Sequence, residues 1–161
     1  MTHPRMFDDG DPYLARVRHL CLAFPEAEEK ESHGRPTFRA AKVFTVYGGG
    51  TKGSARERTR YDQSLLLLPD AGERIALEQD PRSFVPAYYG PAGWIGWNLA
   101  HDGTTANEVD WAEVFELVDA SYRALAPPRL LRELELAALS PSAFAAGPDG
   151  SDGPDGPETF S

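Results

Sequence analysis

Strand-like segments follow one another along the middle of this chain with only one helix among them. Residues 37–41 and 43–47 are enriched in β-branched and aromatic side chains, and residues 64–68 form a continuous apolar run. Residues 84–88 and 94–99 form two further segments around the turn residues Gly90, Pro91 and Gly93. A helical pattern over residues 70–79 interrupts the series once. Parallel strands need a crossover between each pair, so strands that cluster in this way favour a mainly antiparallel sheet.

Helical patterns flank the strands on both sides. Asp11 followed by Pro12 is a typical helix start, and apolar residues then recur at helical spacing. After the strands, Asp110 precedes a longer apolar stripe, which Pro127 ends, and Pro128 begins another helix. The sequence therefore predicts an α+β fold: a mainly antiparallel sheet with an N-terminal helix and two C-terminal helices.

Composition divides the chain into a central part and two ends. Residues 1–10 carry no periodic apolar pattern and are predicted to form a flexible leader. Residues 11–139 are enough for a single domain with its own core. Residues 140–161 are rich in Gly, Pro, Ser and Asp, and such a segment cannot bury enough apolar surface to offset its ordering entropy. We therefore predict one domain followed by a disordered tail.

The sequence also gives an expectation for the compartment. No apolar run approaches the roughly 20 residues of a membrane-spanning helix, and the first residues lack the apolar stretch of a signal peptide. The chain holds one cysteine, Cys21, so it cannot form an internal disulfide. These observations predict a cytoplasmic protein with no membrane partner.

The centre of the chain is basic although the whole chain is acidic. The formal net charge is −9, so most of the surface repels a polyanion. Residues 35–60 reverse that balance, because they contain a single acid, Glu57. The basic residues of this window are Arg35, Arg39, Lys42, Lys52, Arg56, Arg58 and Arg60.

Three of these arginines are spaced two residues apart within residues 48–61. If that segment is extended, Arg56, Arg58 and Arg60 share one face at intervals of about 6.6 Å. Such a row suits the phosphates of a nucleic acid, and the basic residues of neighbouring strands would extend it. The alternative is a solvated hairpin tip whose charge discourages aggregation.

Aromatic residues near the end of the strand series form a second candidate surface. Its members are Tyr88, Tyr89, Trp94 and Trp97, whose rings are suited to stack on a base or another planar ligand. Because Trp94 and Trp97 are three residues apart, an extended strand places them on opposite faces. The alternative is that these rings pack in the core.

Motifs for metal binding and catalysis are missing from the sequence. The four histidines are not spaced as metal ligands, and Cys21 has no evident histidine partner. The acidic residues of segment 26–31 are interpreted as a solvated connector and not as a cation site. Neither Gly-x-Ser-x-Gly nor His-Glu-x-x-His occurs. We therefore expect no metal, no cofactor and no enzymatic activity.

Three segments resemble the MmcQ/YjbR family. They are HGRPTFRAAKVFTVY (residues 33–47), FVPAYYGPAGWIGWNL (residues 84–99) and VDWAEVFELVDASYRALAP (residues 109–127). The resemblance implies a small α+β domain, similar in fold to the bacterial frataxin homologue CyaY, that binds DNA through a double-wing arrangement of its sheet. The positions that match the family's pattern are Gly34, Arg35, Pro36, Phe38, Arg39, Trp94, Trp111 and Tyr122.

One departure from the family's pattern concerns the turn before Trp94. Many relatives have His or Arg there, whereas this chain has Gly-Pro-Ala-Gly at residues 90–93. The departure removes basic groups from one wing. Phosphate binding would then depend on the basic segment, residues 48–61. The sequence thus predicts a DNA-binding protein that uses the basic segment and adjacent strands. The alternative is a non-enzymatic module that binds a small ligand or a protein through the aromatic surface between Tyr88 and Trp97.

Overall fold

A computed structural model describes residues 4–54 and 56–146 of the chain. The helices there are α1 (Pro12–Cys21), α2 (Arg74–Glu78), α3 (Trp111–Leu125) and α4 (Pro128–Ala137). The strands are β1 (Glu28–Ser32), β2 (Arg35–Ala40), β3 (Lys42–Gly50), β4 (Arg60–Leu67), β5 (Ser83–Phe84) and β6 (Ile95–Asn98). They form one sheet in the order β1-β2-β3-β4-β6-β5, with every neighbouring pair antiparallel. The predicted α+β fold is confirmed.

β1 corrects the interpretation of residues 26–31 as a solvated connector. It pairs with β2 in a hairpin, and the two residues of the turn, His33 and Gly34, have φ values of 53° and 81°. Two successive positive φ values are typical of a tight hairpin turn. Glu29 on β1 accepts hydrogen bonds from Nε and Nη2 of Arg18 on α1, at 2.8 and 2.9 Å. The acidic segment is therefore an edge strand that is ion-paired to the first helix.

Two elements are shorter than predicted. Of the strand predicted over residues 84–88, only Phe84 pairs with β6, as part of the two-residue β5, because Pro86 has no N–H to donate and the chain turns there. Of the helix predicted over residues 70–79, only α2 is helical. The Asp70 carboxylate accepts a hydrogen bond from the N–H of Gly72 at 3.0 Å, so it caps a turn before α2 and not α2 itself.

Both ends of the described chain pack on the domain. The N–H of Met6 donates to the carbonyl of Gly34 at 2.8 Å. Phe144, in a 3₁₀ turn after α4, is buried in the core against α3. The packed part of the chain thus extends beyond residues 11–139 on both sides. The rest of the predicted tail, residues 147–161, lies outside the described residues.

The sheet is buried on both faces. Alternate residues of β4 and β6 contribute to the large core beneath α1, α3 and α4. The opposite face holds a smaller cluster of Val46, Leu66 and Trp94. Phe84 belongs to this side, where its ring lies across Gly96; a Cβ atom at Gly96 would be 2.3 Å from the ring. The chain that follows β5 therefore covers the second face.

A buried hydroxyl joins α3 to the sheet at the point where β3 and β4 separate. Ser121 donates a hydrogen bond to the carbonyl of Phe44 at 2.7 Å and accepts one from the N–H of Leu68 at 2.9 Å. The strand register, in which Val46 faces Leu66, would place Phe44 opposite Leu68. The serine hydroxyl thus takes the place of a ladder hydrogen bond between two backbone groups that would otherwise be buried without partners.

The Ser121→Ala substitution is expected to lower the free energy of unfolding by about 2 kcal/mol, because it leaves one buried C=O and one buried N–H unsatisfied. Urea denaturation followed by circular dichroism measures the change. Ser142→Ala, which removes an exposed hydroxyl, is the control and should leave the midpoint unchanged. Equal midpoints for the Ser121→Ala variant and the unmodified protein would contradict the proposed role of the bridge.

Candidate functional site

The basic loop, defined as residues 51–59, joins β3 to β4 and is folded into a turn. The N–H of Thr51 donates to the carbonyl of Thr59 at 2.9 Å. Within the loop, the N–H groups of Glu57 and Arg58 both donate to the carbonyl of Ser54, at 3.0 and 2.9 Å. The segment is therefore not extended, and the row of arginines at about 6.6 Å intervals does not form. The spacing of the arginines along the sequence does not reveal this turn, because the turn depends on hydrogen bonds between residues on its two sides.

Three cations of the basic loop are available to a partner. Lys52, Arg56 and Arg58 are exposed, and their side chains make no hydrogen bond or ion pair with any other residue that the structure describes. The one acid of the loop, Glu57, is also exposed, and its Oε1 atom accepts a hydrogen bond from the loop's own backbone, the N–H of Ser54, at 3.1 Å. The loop thus presents mainly positive charge to solvent.

Arg35 and Arg60 lie at the base of the basic loop and share one carboxylate. Nη2 of Arg35 is 3.2 Å from Oδ1 of Asp62, and Nη2 of Arg60 is 3.2 and 3.1 Å from the two Asp62 oxygens. The Arg35 side chain is only 12% exposed, and its Nη1 is buried without a hydrogen-bond partner among the described residues. Burial lowers the pKa of Arg35, although the Asp62 carboxylate acts in the opposite direction. Both arginines are thus already ion-paired to Asp62, Arg35 mostly buried and Arg60 about half exposed.

Glycine is required where the Arg35 guanidinium lies. Gly48 has φ +88°, and a Cβ atom added there would be 2.2 Å from Nη1 of Arg35. The glycine therefore provides both the left-handed backbone and the space that the guanidinium occupies.

Arg39 and Lys42 lie at the opposite end of β3 from the basic loop. β3 has nine residues, so its ends are about 26 Å apart. Arg39 faces Glu28 of β1 in the strand register, and its Nη2 donates to Oγ1 of Thr37 at 3.3 Å. Lys42 is exposed at the start of β3. The basic residues predicted as one surface thus form separate groups, of which only the loop group is both clustered and unpaired.

Three of the four candidate aromatic side chains pack within the protein. Trp97 is in the main core, with the guanidinium carbon of Arg82 4.5 Å from its ring centroid. Trp94 is buried in the smaller cluster, and the ring of Tyr89 packs on it at 5.0 Å. Tyr88 differs, because its side chain is 92% exposed. The predicted aromatic surface is reduced to one residue.

The chain after β5 brings Tyr88 to the base of the basic loop. Thr51 and Pro86 form an antiparallel bridge, and the N–H of Ala87 donates to the carbonyl of Gly50 at 2.9 Å. Standard Cα spacings along this path place the Cα atoms of Tyr88 and Lys52 at most about 17 Å apart. Spacing in the sequence does not predict the pairing of Thr51 with Pro86, because the chain crosses the second face of the sheet to reach it.

A cleft of about 540 Å³ lies between the leader, the start of α1 and the start of β4. Asp11 lines it, but its carboxylate is already engaged: Oδ1 accepts from the N–H of Tyr13 at 2.9 Å and Oδ2 from the hydroxyl of Tyr47 at 2.5 Å. Burial, followed by the Asp11 carboxylate, raises the pKa of Tyr47. The Asp11 carboxylate thus caps α1 and anchors a buried tyrosine.

Other chemistry has little support in the described part of the chain. No group of three or more His, Cys, Asp and Glu residues is arranged there to hold a metal ion. Cys21 is fully buried, and burial raises the pKa of its thiol, which makes the thiolate needed for nucleophilic attack scarce. Among the described helices, none has the length and apolar character needed to span a bilayer.

The Asp62→Asn substitution is expected to lower the free energy of unfolding by about 2 kcal/mol, because the mostly buried Arg35 loses the carboxylate that compensates its charge. The midpoint of urea denaturation checks this. Asp119→Asn is the matched control: it breaks the more exposed pair with Arg123 on α3, which should cost no more than about 0.5 kcal/mol. A larger loss for the control than for Asp62→Asn would contradict the structural role of the Asp62 network.

The family model described as YjbR matches residues 22–124, which run from just after α1 to the end of α3 and include the whole sheet, the basic loop and Tyr88. No curated protein matches the chain. The matched residues are more than half of the chain, and the predicted resemblance is confirmed. The chain belongs to the YjbR family.

Proposed function

We propose that this protein binds DNA by contacting backbone phosphates through its basic loop. The observation that carries the proposal is the cluster of Lys52, Arg56 and Arg58, which are exposed and unpaired among the described residues on a hydrogen-bonded loop. Arginine and lysine side chains that are free of protein partners can pair with phosphates without first breaking an ion pair. The proposed role is binding without catalysis, in the cytoplasm.

The charge of the rest of the chain limits this binding to one surface. With a net charge of −9, the protein repels DNA over most of its surface, and among the residues that the structure describes the basic loop is the cluster of unpaired cations that would attract it. Phosphate contacts carry no sequence information. The proposal therefore implies weak, strongly salt-dependent binding without base preference from the loop itself.

The second candidate is a module that binds a protein or a small ligand through apolar contacts. Val85 and Tyr88, close together after β5, are 71% and 92% exposed, which favours it. A small-ligand site is normally a concave pocket lined by several apolar side chains. Here Tyr89, Trp94 and Trp97 pack against the protein, so the aromatic residues leave a single exposed ring. The phosphate-binding loop is the better supported site.

The Lys52→Ala/Arg56→Ala/Arg58→Ala variant tests the DNA proposal. If the three cations each neutralise one phosphate, the affinity of the unmodified protein for duplex DNA should fall about 40-fold between 50 and 200 mM salt, a log-log slope of about −2.7. The variant should bind much more weakly at low salt and lose most of that slope. Fluorescence anisotropy with a labelled duplex measures both quantities.

The control variant makes the same change in net charge elsewhere. Lys42→Ala/Arg123→Ala/Arg132→Ala removes three exposed cations from the far end of β3 and from α3 and α4. It should keep the affinity and the salt slope of the unmodified protein apart from a small uniform effect of net charge. Equal losses in the two variants would refute a local phosphate site.

A further inference from the structure

Tyr88 occupies the centre of a strained turn. The N–H of Tyr89 donates to the carbonyl of Ala87 at 2.8 Å, which closes a three-residue γ-turn around Tyr88. Tyr88 has φ +70°, and a γ-turn with a positive central φ is the rare and strained form. For a bulky side chain, this backbone conformation is unfavourable, and glycine or asparagine would adopt it more easily.

The surroundings of the turn hold it rigidly. The N–H of Gly90 donates to the carbonyl of Pro86 at 2.9 Å, which closes a wider turn around the first. The ring of the next residue, Tyr89, is anchored on Trp94. The Tyr88 ring therefore projects into solvent from a fixed base.

The fold gains almost nothing from the Tyr88 side chain. At 92% exposure it buries little apolar area, so it contributes little to stability. A large aromatic residue that is strained, fixed and exposed is better explained by a partner than by packing. The chain before Tyr88 pairs with the base of the loop that carries Lys52, Arg56 and Arg58, which indicates a partner that is both anionic and planar.

We propose that the DNA bound by the basic loop is single-stranded and that one of its bases stacks on the Tyr88 ring. The inference rests on the proposed function, because Lys52, Arg56 and Arg58 of the basic loop would hold phosphates of the nucleotides that follow the stacked base along the strand. Pairing of a positive surface with an aromatic ring is the usual design of single-strand binding, and the stacking is tolerant of base identity.

Duplex DNA fits this surface less well. In a duplex each base lies within the stack, so a single exposed ring cannot reach its face without extruding the nucleotide, which costs a few kcal/mol. A duplex also has the higher linear charge density, and the net charge of −9 opposes its approach more strongly. A single strand lies across the loop and the ring with a smaller part of its charge near the acidic surface.

Labelled strands of about 12 nucleotides separate stacking from phosphate contact. The probes are oligothymidylate, an abasic strand with the same phosphates, and a duplex of the same length. The unmodified protein should bind the thymidylate strand about 5- to 150-fold more tightly than the abasic strand, the range measured for one stacked base. It should also bind the thymidylate strand more tightly than the duplex.

Tyr88→Ala should remove the preference for the thymidylate strand and leave the affinity for the abasic strand unchanged. Tyr88→Phe should keep the preference, because stacking needs the ring and not the hydroxyl. Leu136→Ala, which truncates an exposed apolar residue on α4, is the control and should change neither affinity. The melting temperature of Tyr88→Ala should not fall by more than about 2 °C, because the ring is not part of the core.

The outcomes separate this inference from the proposal on which it rests. If Tyr88→Ala keeps the preference while the Lys52/Arg56/Arg58 variant loses binding, the stacking site is wrong and the phosphate site stands. A duplex bound more tightly than the thymidylate strand also overturns the stacking site. If the unmodified protein binds none of the three probes, both proposals fail.

Discussion

The hydroxyl of Ser121 is the interaction on which the arrangement of this fold depends. It satisfies a carbonyl of β3 and an N–H at the end of β4 where the two strands separate, so it fixes α3 against the sheet at one position along both strands. Any shift of α3 along the sheet would break both hydrogen bonds and leave a buried C=O and a buried N–H unsatisfied, so the serine adds to the packing of α3 a penalty against other positions. Because β3 continues from this anchor to the basic loop, the docking of α3 also sets where that loop projects.

The charged residues in and below the basic loop fall into two groups, those that pair within the protein and those that remain for a partner. Asp62 takes up Arg35 and Arg60, and Glu57 turns toward the loop's own backbone. What remains for a partner is the group of unpaired cations at the tip. An acidic protein can in this way present a small positive surface without placing a large unbalanced charge in its fold.

The second face of the sheet explains why the candidate site includes an aromatic ring. Gly96 leaves room for the Phe84 ring, and the chain after β5 then crosses the sheet to pair with the end of β3. Tyr89 and Trp94 are used to hold that crossing in place. The turn that leads into Tyr89 leaves the Tyr88 side chain exposed near the base of the basic loop, so that packing of Tyr89 is accompanied by exposure of its neighbour.

The sequence by itself determined the α+β class and the principal helices, because the caps at Asp11 and Asp110 and the prolines act within a few residues along the chain. It did not reveal β1, whose acidic side chains depend on Arg18 of α1, nor the loss of strand after β5. Only the tertiary structure decided which cations are free and which aromatic ring is exposed. Those properties depend on partners such as Asp62 and on contacts across the sheet, and such partners are set by strand register and packing rather than by spacing along the chain.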